Sequence, residues 1–107
     1  MKHQCHWPTC ETEVPPKMWG CKKHWFMLPK RIRDVIWATY VPGQEITKTP
    51  SEEYLVAAFI AQLHAFEHIW DHGTDWEREY IRDAYIKACE QIAGDDFEWP
   101  EGLRETE

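Results

Sequence analysis

Apolar residues follow a helical period in the first half of the chain, over residues 29–40. Pro29 suits the first turn of a helix, and an i, i+3, i+4, i+8 apolar stripe follows it. The stripe consists of Ile32, Val35, Ile36 and Tyr40. Residues 41–44 (Val-Pro-Gly-Gln) then predict a turn, in which proline fixes φ and glycine allows a positive φ.

Two longer helices are predicted over residues 49–72 and 74–93. The first begins with Thr49-Pro50-Ser51-Glu52, which has the pattern of a capping box with Thr49 as N-cap. Its expected core stripe is Leu55, Phe59, Leu63, Phe66 and Trp70, and that of the second helix is Ile81, Ala84, Tyr85, Ala88 and Ile92. Gly73 is expected to end the first helix in a left-handed conformation, and Thr74 to open a second capping box. So short a connection predicts an antiparallel helical hairpin.

The remaining segments, 1–28 and 94–107, show no helical period and no convincing strand. The second is an acidic, irregular tail whose Phe97 and Trp99 are expected to fold onto the hairpin. The chain of 107 residues is 43% hydrophobic and 14% aromatic, which fits one folded domain rather than a disordered chain. The fold class is therefore mainly α, with an irregular N-terminal module packed on a short helix and a helical hairpin.

Membrane insertion and export are not expected. No apolar run approaches the roughly 20 residues that cross a bilayer, and the N-terminus lacks the apolar core of a signal peptide. We therefore expect a cytoplasmic protein with no membrane partner.

Charge is distributed unevenly along the chain. Residues 1–40 hold seven Lys/Arg against three Asp/Glu, a net +4, whereas residues 41–107 hold five against sixteen, a net −11. The acidic half is suited to a basic protein surface, such as one that normally holds nucleic acid. The alternative is that the two surfaces are simply solvated or partly face each other.

The strongest chemical motif is Cys-x4-Cys-x10-Cys-x2-His, formed by Cys5, Cys10, Cys21 and His24. Two closely spaced pairs of soft or borderline donors are typical of a tetrahedral zinc site, and Gly20 is expected to free the backbone for a tight turn. A closed set of four ligands predicts one structural zinc and no catalytic metal. Disulfide bonding is the alternative, and His3 or His6 is a rival to His24 for the fourth position.

A second histidine group, His64, His68 and His72, contains the H-x-x-E-H pattern of inverted zinc peptidases. Its projection places it on the polar face, away from the expected core stripe. We therefore expect a secondary metal site or a patch facing solvent or a partner, and no catalysis.

A third group combines basic and aromatic residues: Lys22, Lys23, Trp25, Lys30, Arg31 and Arg33. Cations beside aromatic rings can bind phosphates while a ring stacks on a base. The alternative is that Trp25 and Phe26 pack beneath the zinc loop and the cations are solvated. Cys89 is expected to be a small core residue, and neither a phosphate-binding glycine loop nor a serine triad is present, so no enzyme is predicted.

Four stretches resemble small uncharacterised zinc-binding proteins encoded in bacteriophages and prophages. They are Cys-His-Trp-Pro-x-Cys at 5–10, Val-Pro-Pro-x-Met-Trp-Gly-Cys-x-x-His-Trp-Phe at 14–26, Leu-Pro-Lys-Arg at 28–31 and Pro-Gly-Gln-Glu-Ile-x-Lys-Thr-Pro-Ser at 42–51. The resemblance covers about the first half of the chain and implies an accessory phage role in a bacterial cytoplasm, with no assigned activity.

These patterns together predict a zinc-stabilised, non-enzymatic protein that binds or inhibits a host or phage protein through its acidic helical half. The alternative is a small nucleic-acid-binding accessory protein that uses the basic and aromatic zinc module.

Overall fold

The computed structural model describes residues 3–15, 17–47 and 50–94, except for the side chains of residues 45 and 46. The elements in chain order are β1 (His3–Gln4), β2 (Glu13–Val14), α1 (Lys22–Met27), α2 (Lys30–Thr39), α3 (Gln44–Thr47), α4 (Glu52–His72) and α5 (Asp75–Ala93). The mainly helical prediction is confirmed. Expectations for the tail, including Phe97 and Trp99, fall outside the described residues.

Helices α4 and α5 form the predicted hairpin, and α2 packs against α4. The capping box at the start of α5 is confirmed: Thr74 Oγ1 accepts from the Glu77 amide at 3.2 Å, and Glu77 Oε1 accepts from the Thr74 amide at 3.1 Å. The left-handed conformation expected at Gly73 is wrong, because its φ is −82°. A side chain is excluded there by crowding instead, since a Cβ would lie 2.6 Å from the Ile69 carbonyl oxygen.

The start of α4 differs from the prediction, because its N-cap is Ser51 and not Thr49. The Ser51 hydroxyl accepts from the Tyr54 amide at 3.0 Å, as an N-cap does, and donates to the Thr39 carbonyl at 3.0 Å. One side chain therefore begins α4 and ties it to the end of α2.

The expected core stripe of α4 is only partly right. Leu63 and Phe66 are buried, but Leu55 and Trp70 are exposed. The full set of buried positions is Ala57, Ile60, Ala61, Leu63, Ala65, Phe66 and Ile69. This arc is wider than one stripe because α4 packs against α2 as well as α5, and its alanines allow close approach.

The core stripe predicted for α5 agrees with the structure more closely than the one predicted for α4. Ile81 and Ala88 are buried, and Tyr85 and Ile92 are partly buried against the core. Ala84 is exposed, contrary to expectation.

The N-terminal segment 1–28 contains regular structure that the sequence pattern did not reveal. Strands β1 and β2 pair antiparallel, with His3 opposite Val14 and Gln4 opposite Glu13. Helix α1 follows, and it is too short for a period to be detected. Three tryptophans of this segment, Trp7, Trp19 and Trp25, are buried in the same core as residues of α2 and α4.

Helix α2 begins at Lys30 directly after Pro29 and buries Ile32 and Ile36, as expected. The turn predicted after it is also present, in the link between α2 and α4. Gly43 has a φ of 85°, so the turn needs the left-handed conformation that glycine allows. The short helix α3, which follows immediately, was not predicted.

Candidate metal centre

Four side chains from the N-terminal segment meet at one point. The ligand atoms of Cys5, Cys10, Cys21 and His24 all lie within 4.8 Å of one another. Nδ1 of His24 is 3.6 Å from Sγ of Cys5 and 3.3 Å from Sγ of Cys21. Zinc bond lengths at tetrahedral angles place sulfur and nitrogen ligands about 3.6 Å apart, so the donors fit such an ion. The cluster could therefore bind a metal ion, as the sequence motif predicted.

The local backbone explains how the four donors converge. The Cys5 amide donates to the Thr12 carbonyl at 2.8 Å, extending the pairing of β1 and β2, and the Cys10 amide donates to the Trp7 carbonyl at 2.9 Å. These bonds close the loop between Cys5 and Cys10, which we call the first loop, with both thiols directed to the same side. Cys21 is the N-cap of α1, so His24 lies within one helical turn of it.

The thiols differ in their surroundings. Burial raises the pKa of the Cys5 thiol to about 11, against the effect of hydrogen bonds from the backbone amides of Cys21 and Trp7. Burial also raises the pKa of Cys10, but hydrogen bonds from Thr12 and from neighbouring thiols outweigh it, and the net shift is downward. Amide donors directed at sulfur stabilise a thiolate, the form that binds metals. All four cysteines carry free thiols.

Gly20 is required for a reason other than the one expected. A Cβ at this position would lie 2.9 Å from Sγ of Cys5. Gly20 does not have a positive φ, which the structure records for Gly43. The absent side chain thus makes room for a ligand sulfur instead of permitting an unusual backbone turn.

Trp7 links the cluster to the hairpin. Its ring stacks on His24, with centroids 4.5 Å apart and planes 9° from parallel, and it also forms a T-shaped contact with His68, with centroids 5.5 Å apart. Burial lowers the pKa of His24, with smaller contributions from the charges of Lys23 and His68. The lowered pKa favours the neutral imidazole, which is the form that binds metals.

The rival ligands His3 and His6 do not join the four-donor group. Their rings lie 4.8 Å from each other, and Nδ1 of His3 is 2.7 Å from the Gln4 carbonyl oxygen, with which it hydrogen-bonds. Among the described residues, the group of at least three donors that could hold a metal contains His24 as its histidine.

The second histidine group is not one uniform patch, because its three side chains differ in burial. His64 is partly buried: burial lowers its pKa, and a hydrogen bond to the Met27 backbone carbonyl opposes this shift. His68 contacts Trp7, and His72 is exposed, with its ring 4.9 Å from that of His68. The three histidines differ because the N-terminal segment packs over His64 and His68 but not over His72.

The basic and aromatic group is also divided by the fold. Trp25 is buried and meets the edge of Trp37, so it cannot stack on a nucleic-acid base. Its neighbour Phe26 is 59% exposed, and the Arg33 guanidinium lies 5.2 Å from its ring centre.

The cations of this group lie at the surface. Lys22, Lys23 and Arg31 are exposed, and Lys30 forms an ion pair with Asp34 at 2.7 Å. Lys22, Lys23 and Arg31 therefore remain available to a ligand even though Trp25 does not.

An open cleft of about 770 Å³ lies between the cluster and the end of the hairpin nearest Gly73. Cys10, Cys21 and His24 line one side of it, and His68 and His72 line the other. Thr9 donates to Glu77 at 3.3 Å and joins the first loop to α5. The cluster thus has one solvent-facing side, whereas Cys5 is buried.

Two aromatic side chains that the sequence analysis overlooked are prominent on α5. Trp76 and Tyr80 are 66% and 63% exposed, and their rings stack with centroids 5.4 Å apart and planes 18° from parallel. The available signal was their i, i+4 spacing away from the Ile81 stripe. Cys89 is exposed as well, so its assignment as a core residue is wrong.

Comparison with known proteins adds no family. No protein-family model, curated protein or solved structure matches this chain. The phage resemblance of the N-terminal motifs therefore stays a prediction. In the described part of the chain, the helices all fall short of the length and apolar character needed to cross a membrane.

Proposed function

We propose that the protein is a zinc-stabilised, non-enzymatic binding protein, phage-encoded like the proteins its N-terminal motifs resemble, and cytoplasmic. Its partner is a host or phage protein with a basic surface, which it binds or inhibits through the acidic hairpin. The observation that carries the binding proposal is the exposed, stacked pair Trp76–Tyr80.

The choice of zinc rests on the donor set. Three thiolates and one imidazole suit zinc, and they leave no position open for a reacting water. Such a site has a net charge of −1 when it holds a divalent ion, and the adjacent Lys22 and Lys23 offset that charge. The ion's role is structural, because it holds together a segment with little regular structure of its own.

The choice of surface rests on exposure and charge. Tryptophan and tyrosine are enriched at the centres of protein interfaces, where burying a rigid ring has a low entropic cost. Trp76 and Tyr80 are exposed, and acidic residues adjoin both of them in the sequence, at positions 75, 77 and 79. Residues 50–94 contain nine Asp/Glu against three Lys/Arg, a net −6, so a basic partner is favoured.

Native mass spectrometry of untagged protein tests the metal. We expect one zinc ion per chain, lost in Cys21→Ser and retained in Cys89→Ser, which removes a thiol outside the cluster. A different metal, or full zinc occupancy in Cys21→Ser, would contradict the zinc proposal.

Affinity capture from a bacterial lysate, with each captured protein identified and then purified, tests the surface. We expect a basic partner that binds the wild-type protein, with an affinity that falls as the salt concentration is raised. Trp76→Ala/Tyr80→Ala should abolish binding, and Ile86→Ala, an exposed apolar change elsewhere on α5, should preserve it. Equal binding by both variants would rule out the aromatic pair as the contact.

A second candidate function, nucleic-acid binding, is favoured by the exposed Phe26 beside Arg33. This ring can stack on an unpaired base while Lys22 and Lys23 contact phosphates. Fluorescence anisotropy with single-stranded DNA and RNA tests it. Charge reversal at Lys22, Lys23, Lys30 and Arg31, or Phe26→Ala alone, should abolish salt-dependent binding if this function is correct. Trp76→Ala/Tyr80→Ala should leave such binding unchanged.

A further inference from the structure

His68 and His72 have the geometry of a two-imidazole chelate. They are four residues apart near the end of α4, and their ring centroids are 4.9 Å apart with planes inclined by 49°. Two imidazoles bound to one ion at zinc–nitrogen distances and a near-tetrahedral angle have centroids about 5 Å apart. The spacing of the two ring centroids therefore matches that of two imidazoles sharing one ion.

The surroundings of the pair keep it both ordered and accessible. The edge contact with Trp7 restricts the His68 ring, and the backbone of α4 fixes the spacing to His72. Both rings line the 770 Å³ cleft, and His72 is exposed to solvent. His64, one turn earlier, does not line the cleft and hydrogen-bonds the Met27 carbonyl, so it is not a third ligand.

We propose that His68 and His72 form a second, exchangeable binding site for a borderline divalent transition-metal ion such as Zn²⁺ or Ni²⁺. Imidazole suits these ions and does not suit Mg²⁺ or Ca²⁺. Two protein ligands leave the other coordination positions to water, so this site binds more weakly than the four-donor cluster. The inference is independent of which ion the cluster holds and of the partner surface on α5.

One other histidine pair has a similar spacing and provides a matched control. The rings of His3 and His6 are 4.8 Å apart and inclined by 34°. Nδ1 of His3 is already hydrogen-bonded to the Gln4 carbonyl, and the pair lies in a two-residue strand and its following bend instead of on a long helix. It is the less rigid chelate of the two.

The experiment is a titration of the zinc-loaded full chain with Ni²⁺, followed by calorimetry and native mass spectrometry. We expect one nickel ion to bind in addition to the retained zinc, and His68→Gln/His72→Gln to lose it. His3→Gln/His6→Gln should retain it. The single change His72→Gln, at an exposed position, should weaken nickel binding by at least about tenfold. Removing a residue that only hydrogen-bonds a metal ligand already lowers metal affinity by about that factor, and His72 is itself a proposed ligand.

The proposal is overturned if nickel binds equally to wild type and His72→Gln, or if only His3→Gln/His6→Gln loses it. A wild-type chain that binds no nickel overturns it too. Because zinc and nickel are counted by mass in the same spectrum, failure of this site is distinguishable from failure of the zinc cluster.

Discussion

Single residues around the metal centre are constrained by neighbours that are distant in sequence. Gly20 faces Sγ of Cys5 at a distance that admits no Cβ, and Trp7 fits between His24 and His68. Neither constraint is a local backbone preference. Both follow from the way the N-terminal segment folds on itself and packs against α4.

Gly20→Ala is expected to destabilise the metal-loaded protein by about 1–3 kcal/mol, the usual cost of overpacking a core. The added methyl group would lie 2.9 Å from Sγ of Cys5, and a bound metal would prevent the sulfur from moving away. Denaturant unfolding with the metal bound measures the loss, and the metal affinity should fall with it.

Gly94→Ala is the matched control, because its Cβ would meet nothing closer than the Gln91 carbonyl oxygen at 3.4 Å and its φ is −70°. Its free energy of unfolding should stay unchanged or rise by up to about 1 kcal/mol. Equal losses in the two variants would show that Gly20 matters for some reason other than its contact with Cys5.

The candidate ligands were predictable from sequence, but their surroundings were not. The spacing of Cys5, Cys10, Cys21 and His24 requires short loops, and short loops hold their donors close together. The stacking of Trp7 on His24 and the burial of Trp25 depend on how the N-terminal segment packs against α4. No local pattern encodes that packing, which is why burial and exposure of Trp25 both stayed open in the sequence.

At the scale of elements, local capping chemistry places the start of each long helix. Thr74 was identified correctly because Glu77, three residues later, completes its capping box, whereas Asp75 has an arginine at the corresponding position. At α4 the sequence offers Thr49 and Ser51 as N-caps two residues apart. Ser51 is selected because its hydroxyl also reaches the Thr39 carbonyl, a tertiary contact absent from the local pattern.

Thr74→Ala is expected to lower the free energy of unfolding by about 1 kcal/mol, since the Glu77 amide loses its acceptor. Thr74→Ser keeps a hydroxyl at the same position and should remain close to wild type. Thermal or denaturant unfolding of the three proteins in the same buffer checks this. A Thr74→Ser protein as unstable as Thr74→Ala would show that the threonine methyl group matters, and not the cap.

The Glu77 carboxylate adds a pH-dependent contribution to the same cap. Hydrogen bonds from Thr74 lower its pKa from the ordinary 4.5, outweighing the opposing effect of burial. A lowered folded-state pKa stabilises the protein above pH 4.5, and this stability is lost as the pH falls through the folded value. The advantage of wild type over Glu77→Gln should therefore be greatest near neutral pH and should vanish in acid.

Unfolding free energies of both proteins across this pH range measure the effect. The two proteins share the same cysteine and histidine cluster, so the pH dependence of metal binding cancels in their difference. A difference that stays constant with pH would mean that the Glu77 charge does not support the cap.

The core face of α4 shows where an element-level prediction fails. A single amphipathic stripe is expected when a helix buries one side, and it correctly marked Leu63 and Phe66. Because α4 packs against both α2 and α5, its buried face is broader than a single stripe and is centred on alanines. Alanine is only weakly hydrophobic, so a search for large apolar residues does not mark these positions. The exposure of Leu55 and Trp70 follows from that shift.

At the scale of the whole molecule, the Cys/His cluster and the helices share one continuous core. Cys5, Trp7 and Trp19 from the N-terminal segment belong to the same buried group as Ile36 of α2 and Ile69 of α4. The His64 bond to Met27 and the Thr9 bond to Glu77 join the two parts at further points. Unfolding of the N-terminal segment would therefore expose apolar surface on the hairpin as well.

Removing the metal is accordingly expected to destabilise the entire chain instead of only its first third. With a chelator present, the helical circular dichroism signal and the tryptophan fluorescence should melt together, at a temperature lower by at least roughly 10 °C. Cys89→Ser should respond to the chelator as wild type does, whereas Cys21→Ser, which lacks a ligand, should not respond. If the helical signal kept its melting temperature while the fluorescence changed, the hairpin would be stable on its own, and the metal would support only the N-terminal segment.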